Sequence, residues 1–101
     1  MEFVQLRQLD AIARAGTISA AADELHTSQP SVSRSMRALE RELGCELFER
    51  TRNHVELNEA GRLALRHARA ILAEERRMRD AFDELTRRSR TIAIASVAPA
   101  P

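Results

Sequence analysis

Lysine, tryptophan and tyrosine are missing from this chain, and cysteine occurs once. A lone Cys45 closes no internal disulfide, and beside Leu43, Leu47 and Phe48 it reads as a small buried hydrophobe rather than a nucleophile. With Phe3, Phe48 and Phe82 the only aromatics, the core must rest on Leu, Ile, Val and Ala, a helix-forming palette. No apolar run reaches the roughly 18 residues of a membrane span. The N-terminus lacks the basic and apolar regions of a signal peptide, so a cytoplasmic location is expected. His26, His54 and His67 lack metal-ligand spacing, and no Gly-rich phosphate loop is present. We therefore assign no metal, no cofactor and no catalytic residue. At 101 residues the chain has room for one small domain and an appendage, which excludes a large enzyme.

A one-sided charge is also missing. The formal net charge is +1; residues 1–57 carry seven arginines against nine acids, and the remainder nine arginines against six. Any argument for nucleic acid must rest on where charges sit rather than on how many there are. All sixteen basic residues are arginine, whose planar fork suits guanine and phosphate.

What the chain does have is a patterned stretch from Ser28 to Leu39. Ser28 can cap the first free backbone donors of a helix, and Pro30 falls in the first turn, where its missing N–H is not needed. At about 100° per residue, Val32, Met36, Leu39 and Leu43 form one stripe, while Pro30, Arg34, Arg37 and Arg41 form the opposite one, flanked by Ser31 and Ser33. Upstream, Ile18 to Leu25 reads as a short helix whose alanines let another backbone approach closely. His26-Thr27 then leaves only a tight connection, which makes residues 18–37 a helix-turn-helix. Placed in a major groove, the second helix would present Ser28, Gln29, Pro30, Ser31, Ser33 and Arg34 to base edges: Gln29 suits adenine, Arg34 guanine, and the Pro30 ring a thymine methyl.

The flanking segments complete the expectation. Residues 2–15 place Phe3, Leu6, Leu9, Ile12 and Ala13 at helical spacing, with Gln5, Arg7, Gln8 and Arg14 outside and Gly16 as a stop. After Gly44 the chain becomes extended through Arg50, turns at Thr51-Arg52-Asn53, and alternates through Val55 and Leu57, as a two-stranded wing does. Arg50 and Arg52 at such a tip suit a DNA backbone or a narrow minor groove. From the Asn58 cap to about Arg88 runs one helical pattern, a rod on the order of 45 Å long. Ala64, Ala68, Ile71, Glu75, Met78, Phe82 and Leu85 step by four and three along it, a coiled-coil seam flawed at Glu75, so a homodimer is expected. Residues 91–97 alternate like a strand before Pro99, which reads as the start of a truncated second domain.

Taken together, the Ala-rich helix, Ser-Gln-Pro-Ser-Val-Ser-Arg at 28–34, Leu39-Glu40, Glu42-Leu43-Gly44, Leu47-Phe48-Glu49-Arg50 and Glu59-Ala60-Gly61 resemble the N-terminal region of LysR-type transcriptional regulators over residues 1 to about 90. The resemblance implies a mainly α fold, with a winged helix-turn-helix domain at 1–58, a linker helix for dimerisation at 59–89, and the start of an effector-binding domain at 90–101. It implies promoter DNA as partner, DNA contacts at Ser28, Gln29, Pro30, Ser33, Arg34, Arg50 and Arg52, and tetramers in a full-length protein; the helix pattern itself adds Ser31 and Arg37 to the expected contact set. A small-molecule co-inducer is implied only for the missing domain. Asn58 stands where Thr is frequent in the family, and Arg52-Asn53-His54 replaces a Gly-rich wing tip. A protein-interaction module with a coiled-coil stalk is the competing class, kept open by the acidic balance of residues 1–57.

Overall fold

Gln5 shows how the first helix is fixed at both ends of one side chain. Its Oε1 accepts the Glu2 N–H at 2.8 Å, starting α1 (Phe3–Ala15), and its Nε2 donates to the Ser35 carbonyl at 3.3 Å. A computed structural model describes the backbone of residues 1–52 and 54–97, and side chains up to residue 90. The order is α1, α2 (Ile18–Glu24), α3 (Gln29–Leu43), β1 (Phe48–Thr51), β2 (His54–Leu57) and α4 (Glu59–Val97).

Each boundary has a chemical cause. Gly16, at φ 81°, closes α1 with its N–H on the Ile12 carbonyl. Thr17 then caps α2, its Oγ1 accepting the Ala20 N–H at 3.0 Å. The turn that follows is tight: His26 takes φ 55°, and the Thr27 N–H returns to the Ala22 carbonyl. Ser28 caps α3 as expected, accepting the Ser31 N–H at 3.2 Å, and Gly44 in the left-handed region ends it. Asn58 holds the start of α4 by three bonds: its Oδ1 accepts the Gly61 N–H, its Nδ2 donates to the Glu46 carbonyl, and its own N–H donates to the Leu47 carbonyl.

The core is one cluster. Leu6, Leu9, Ala11 and Ile12 of α1 meet Ile18, Ala21 and Ala22 of α2, Val32, Met36 and Leu39 of α3, Leu47 and Phe48 before and in the wing, and Ala68 of α4. Ala21 and Ala22 are buried methyls that let α2 lie close to its neighbours. The wing is antiparallel, with Phe48 opposite Leu57 and Arg50 opposite Val55, and the Val55 N–H bonds to the Gly16 carbonyl at 3.1 Å. That bond ties the hairpin to the turn before α2.

Several expectations are corrected. Helix α4 does not end near Arg88: it continues to Val97 and replaces the strand expected over residues 91–97. A lone strand would leave its backbone groups unpaired, whereas a helix satisfies them internally and no Pro or Gly intervenes before Pro99. Asn53 and residues 98–101, which include the expected Pro stop, lie outside the described residues. Cys45 is exposed rather than buried, because it falls just past the Gly44 reversal. Phe3 and Leu43, placed on buried stripes by periodicity, are 45% and 41% exposed at the ends of their helices, where no neighbour covers them. Gln8, expected outside, is buried, with its Oε1 unpartnered.

Candidate nucleic-acid interface

Helix α3 buries Val32, Met36 and Leu39 completely, which fixes its rotation and therefore which residues it shows to solvent. Pro30, Arg34, Arg37 and Arg41 are exposed on the opposite side, Ser31 and Ser33 are half-buried at its edges, and Gln29 is exposed as the first residue of the helix. Ser28 is exposed, but its Oγ is already engaged as the cap. Pro30, Arg34 and Arg37 thus share one helix side, which Arg41 joins, while Ser28 and Gln29 stand at its N-terminal end.

The wing adds two more guanidiniums. Arg52 is exposed at the hairpin turn. Arg50 shares a pleat face with Phe48, so it turns toward α3 and lines a hollow there with Arg37, Arg41, Glu40, Glu46 and Glu49. The Glu40 carboxylate ties this hollow to the wing, its Oε2 accepting the Leu47 N–H at 2.7 Å. This bond and the Val55–Gly16 bond hold the wing at a set distance from α3.

Several arginines outside α3 and the wing are engaged within the chain. Arg14, Arg62, Arg69, Arg77 and Arg79 are held by carboxylates or a carbonyl on the same chain. Among the described residues, Arg34, Arg37, Arg41, Arg50 and Arg52 carry no hydrogen bond or ion pair, and neither does the Gln29 carboxamide. Five guanidiniums on α3 and the wing are therefore without a bonded partner.

Helix α4 presents a second surface. Ala64 and Ala68, expected in the dimer seam, turn into their own domain: Ala68 is buried and Ala64 packs on the core with Leu65 and Leu72. Small side chains there allow α4 to lie close against α1. The exposed apolar stripe keeps Ile71, Met78, Phe82 and Leu85 of the expected one and has Leu63 where Ala64 and Ala68 were expected. Glu75, the expected flaw, is half-buried beside this stripe and accepts from Arg79 at 2.5 Å. Sequence reasoning missed Leu63, which sits one residue before the Ala64 it favoured, and Glu40, whose tie to the wing no spacing rule announces. Arg41 was legible as the i+7 companion of Arg34 yet was left out of the contact set.

A buried-stripe helix with a free polar side, entered through a tight turn and followed by a hairpin, defines a winged helix-turn-helix. The model for bacterial regulatory helix-turn-helix proteins of the lysR family matches residues 3–62, so the chain belongs to the LysR family. It is 53% identical over 72 residues to the HTH-type transcriptional regulator ClcR of Pseudomonas putida, covering 71% of this chain and 24% of that one. It is 45% identical over 95 residues to the RuBisCO operon transcriptional regulator of Allochromatium vinosum, covering 91% of this chain and 32% of that one. The chain thus spans about a quarter to a third of the length of these curated relatives. Among solved structures, the CbnR DNA-binding domain in its DNA complex superposes with TM-score 0.77 at 45% identity, over 92% of this chain and 99% of that one. The BenM DNA-binding domain bound to the catB site 1 DNA gives TM-score 0.81 at 30% identity, over 85% and 96%.

Proposed function

We propose that this chain is the DNA-binding region of a LysR-type transcriptional regulator, reading promoter DNA as a dimer. Helix α3 enters the major groove with Gln29, Pro30, Ser33 and Arg34 toward base edges, Ser28 and Ser31 at its rim, and Arg37 near the backbone. Arg50 and Arg52 of the wing lie along the backbone or the minor groove, and Arg41 extends the phosphate-binding row. Two copies pair through Leu63, Ile71, Met78, Phe82 and Leu85 rather than through Ala64 and Ala68, keeping Ile71, Met78, Phe82 and Leu85 of the expected seam. We divide the chain at 58/59, a reading that the Asn58 cap supports, and assign a co-inducer to a further domain of a longer protein.

The observation that carries this reading is the set of five unpaired guanidiniums on the side of α3 opposite the core and on the adjoining wing. Titration against random duplex DNA at rising salt tests it. Binding should fall steeply as salt releases the counterion advantage. Salt-insensitive or undetectable binding at low salt would instead favour a protein-interaction module. Among the described residues no helix is long and apolar enough to cross a membrane, and the curated relatives named above are transcriptional regulators.

A further inference from the structure

Helix α4 meets the helices of its own domain largely through Ala64, Leu65, Ala68 and Leu72, and packing of such small and aliphatic side chains leaves a scatter of about 15–20° in the crossing angle. Among the described residues one directional bond joins α4 to those helices: Arg69 Nε donates to Asp10 Oδ1 at 2.8 Å. The second oxygen of Asp10 accepts Arg14 Nε at 3.0 Å, and Arg14 then holds both oxygens of Glu24 at 2.6 and 2.7 Å. Charges alternate along this relay, which runs from α4 through α1 to the last residue of α2. The turn into α3 begins immediately beyond it.

The relay is built around Asp10, whose side chain is 23% exposed while those of Arg14, Glu24 and Arg69 are 41–53% exposed. Burial pushes the Asp10 carboxyl up, but the hydrogen bonds from Arg69 and Arg14 outweigh it and hold the group below the usual carboxylate range. Pairs this open add little to folding stability, so their geometric effect is the larger one. The bidentate Arg14–Glu24 fork fixes direction as well as distance between α1 and α2, and the single Arg69–Asp10 bond carries that frame to α4.

We infer that the Arg69–Asp10–Arg14–Glu24 relay is a specificity-determining clasp: it sets the angle between α4 and the DNA-reading helices, and so selects the separation of two half-sites on the DNA. This rests on the dimeric DNA-binding reading above. If two copies are joined through α4, any rotation of the reading helices about α4 moves α3 relative to its twin. None of the four residues is needed at the DNA surface itself.

The test is selection of bound duplexes from a randomised library by the purified chain, sequenced to give both the half-site motif and the distribution of spacer lengths. Wild type should select paired half-sites at one dominant spacing. Asp10→Asn and Arg69→Gln should keep the half-site motif and lower discrimination against neighbouring spacings by about threefold, the scale of a semi-exposed charged pair. The double variant should lose no more than the larger single effect, because both changes open the same bond. Arg76→Gln, which removes an unpaired guanidinium two turns further along α4, should change nothing. Paired half-sites with unaltered spacing discrimination in both single variants would overturn the clasp. A wild-type chain that selects no paired half-sites would instead overturn the functional reading. Should Asp10→Asn unfold, as a thermal melt would show, Arg69→Gln at the exposed end still decides the question.

Discussion

The Glu40 carboxylate and the Leu47 backbone N–H, seven residues apart, are joined at 2.7 Å, so the reading helix holds the first extended residue of its own wing. A hydrogen bond to a charged acceptor in a partly buried place is worth about 1.5–3 kcal/mol. Glu40→Ala should lower stability by that amount and raise hydrogen exchange at the Leu47 amide, while α1 and α2 stay protected. Unchanged exchange at Leu47 would show that the wing holds itself.

Base-reading and phosphate-binding arginines should separate. Arg34→Ala should lose about 1–3 kcal/mol on the preferred duplex and little on random sequence. Arg50→Ala should weaken binding to every duplex and reduce the salt slope by about 1. Binding isotherms on both duplexes at several salt concentrations distinguish them; equal losses from the two variants would remove the division of roles.

The buried and exposed parts of the expected α4 seam make opposite predictions. Phe82→Asp should convert a dimer to a monomer in sedimentation without lowering the melting temperature of the helix-turn-helix. Burying a large apolar side chain is worth about 1.5–3 kcal/mol, so dimer dissociation should strengthen at least tenfold, by about 1.4 kcal/mol or more. Ala68→Asp should instead unfold the domain, since Ala68 is 1% exposed within the core.

Two glycines should respond for different reasons. A Cβ on Gly61 would lie 2.1 Å from the Leu47 carbonyl oxygen, and backbone cannot move aside as a flexible side chain can. Gly61→Ala should therefore lose about 1–3 kcal/mol or more, seen as a lower denaturation midpoint. At Gly44 a Cβ meets nothing within 4 Å, and only the left-handed φ of 79° opposes it. Gly44→Ala should lose about 1–2 kcal/mol.

The Asp10 carboxyl sits below its ordinary range in the folded chain, so its contribution is complete above the unfolded value and disappears as pH falls through the folded one. Thermal melts below about pH 5 should show wild type losing its advantage over Asp10→Asn as acidity rises. A constant difference down to strongly acid solution would mean that Asp10 acts by packing.

Much of the helix-turn-helix was readable because its signals are local. Ser28, Pro30, Gly44 and Asn58 mark boundaries by side-chain and backbone chemistry that neighbours cannot easily override, and the stripe of Val32, Met36 and Leu39 determined which side of α3 would be free. Arg34, Arg37 and Pro30 followed from that stripe alone. What escaped depends on tertiary placement. Whether Ala68 or Leu63 faces inward depends on how closely α4 approaches α1, which heptad steps do not encode. Residues 91–97 have a strand-like alternation, but without neighbouring strands the helix has more to offer their backbone. Gln8 and Cys45 were misplaced because helix ends and crossing points, rather than periodicity, govern their exposure.

Because α4 grips its own domain at Ala64 and Ala68 near its start and carries exposed Phe82 and Leu85 further along, the helix works like a shaft keyed at two points along its length. Adding a single residue between Leu72 and Met78 would turn one key against the other by about 100° and lengthen the shaft by about 1.5 Å. Seven added residues would nearly restore the phase. The molecule's tolerance to insertions there should accordingly be periodic.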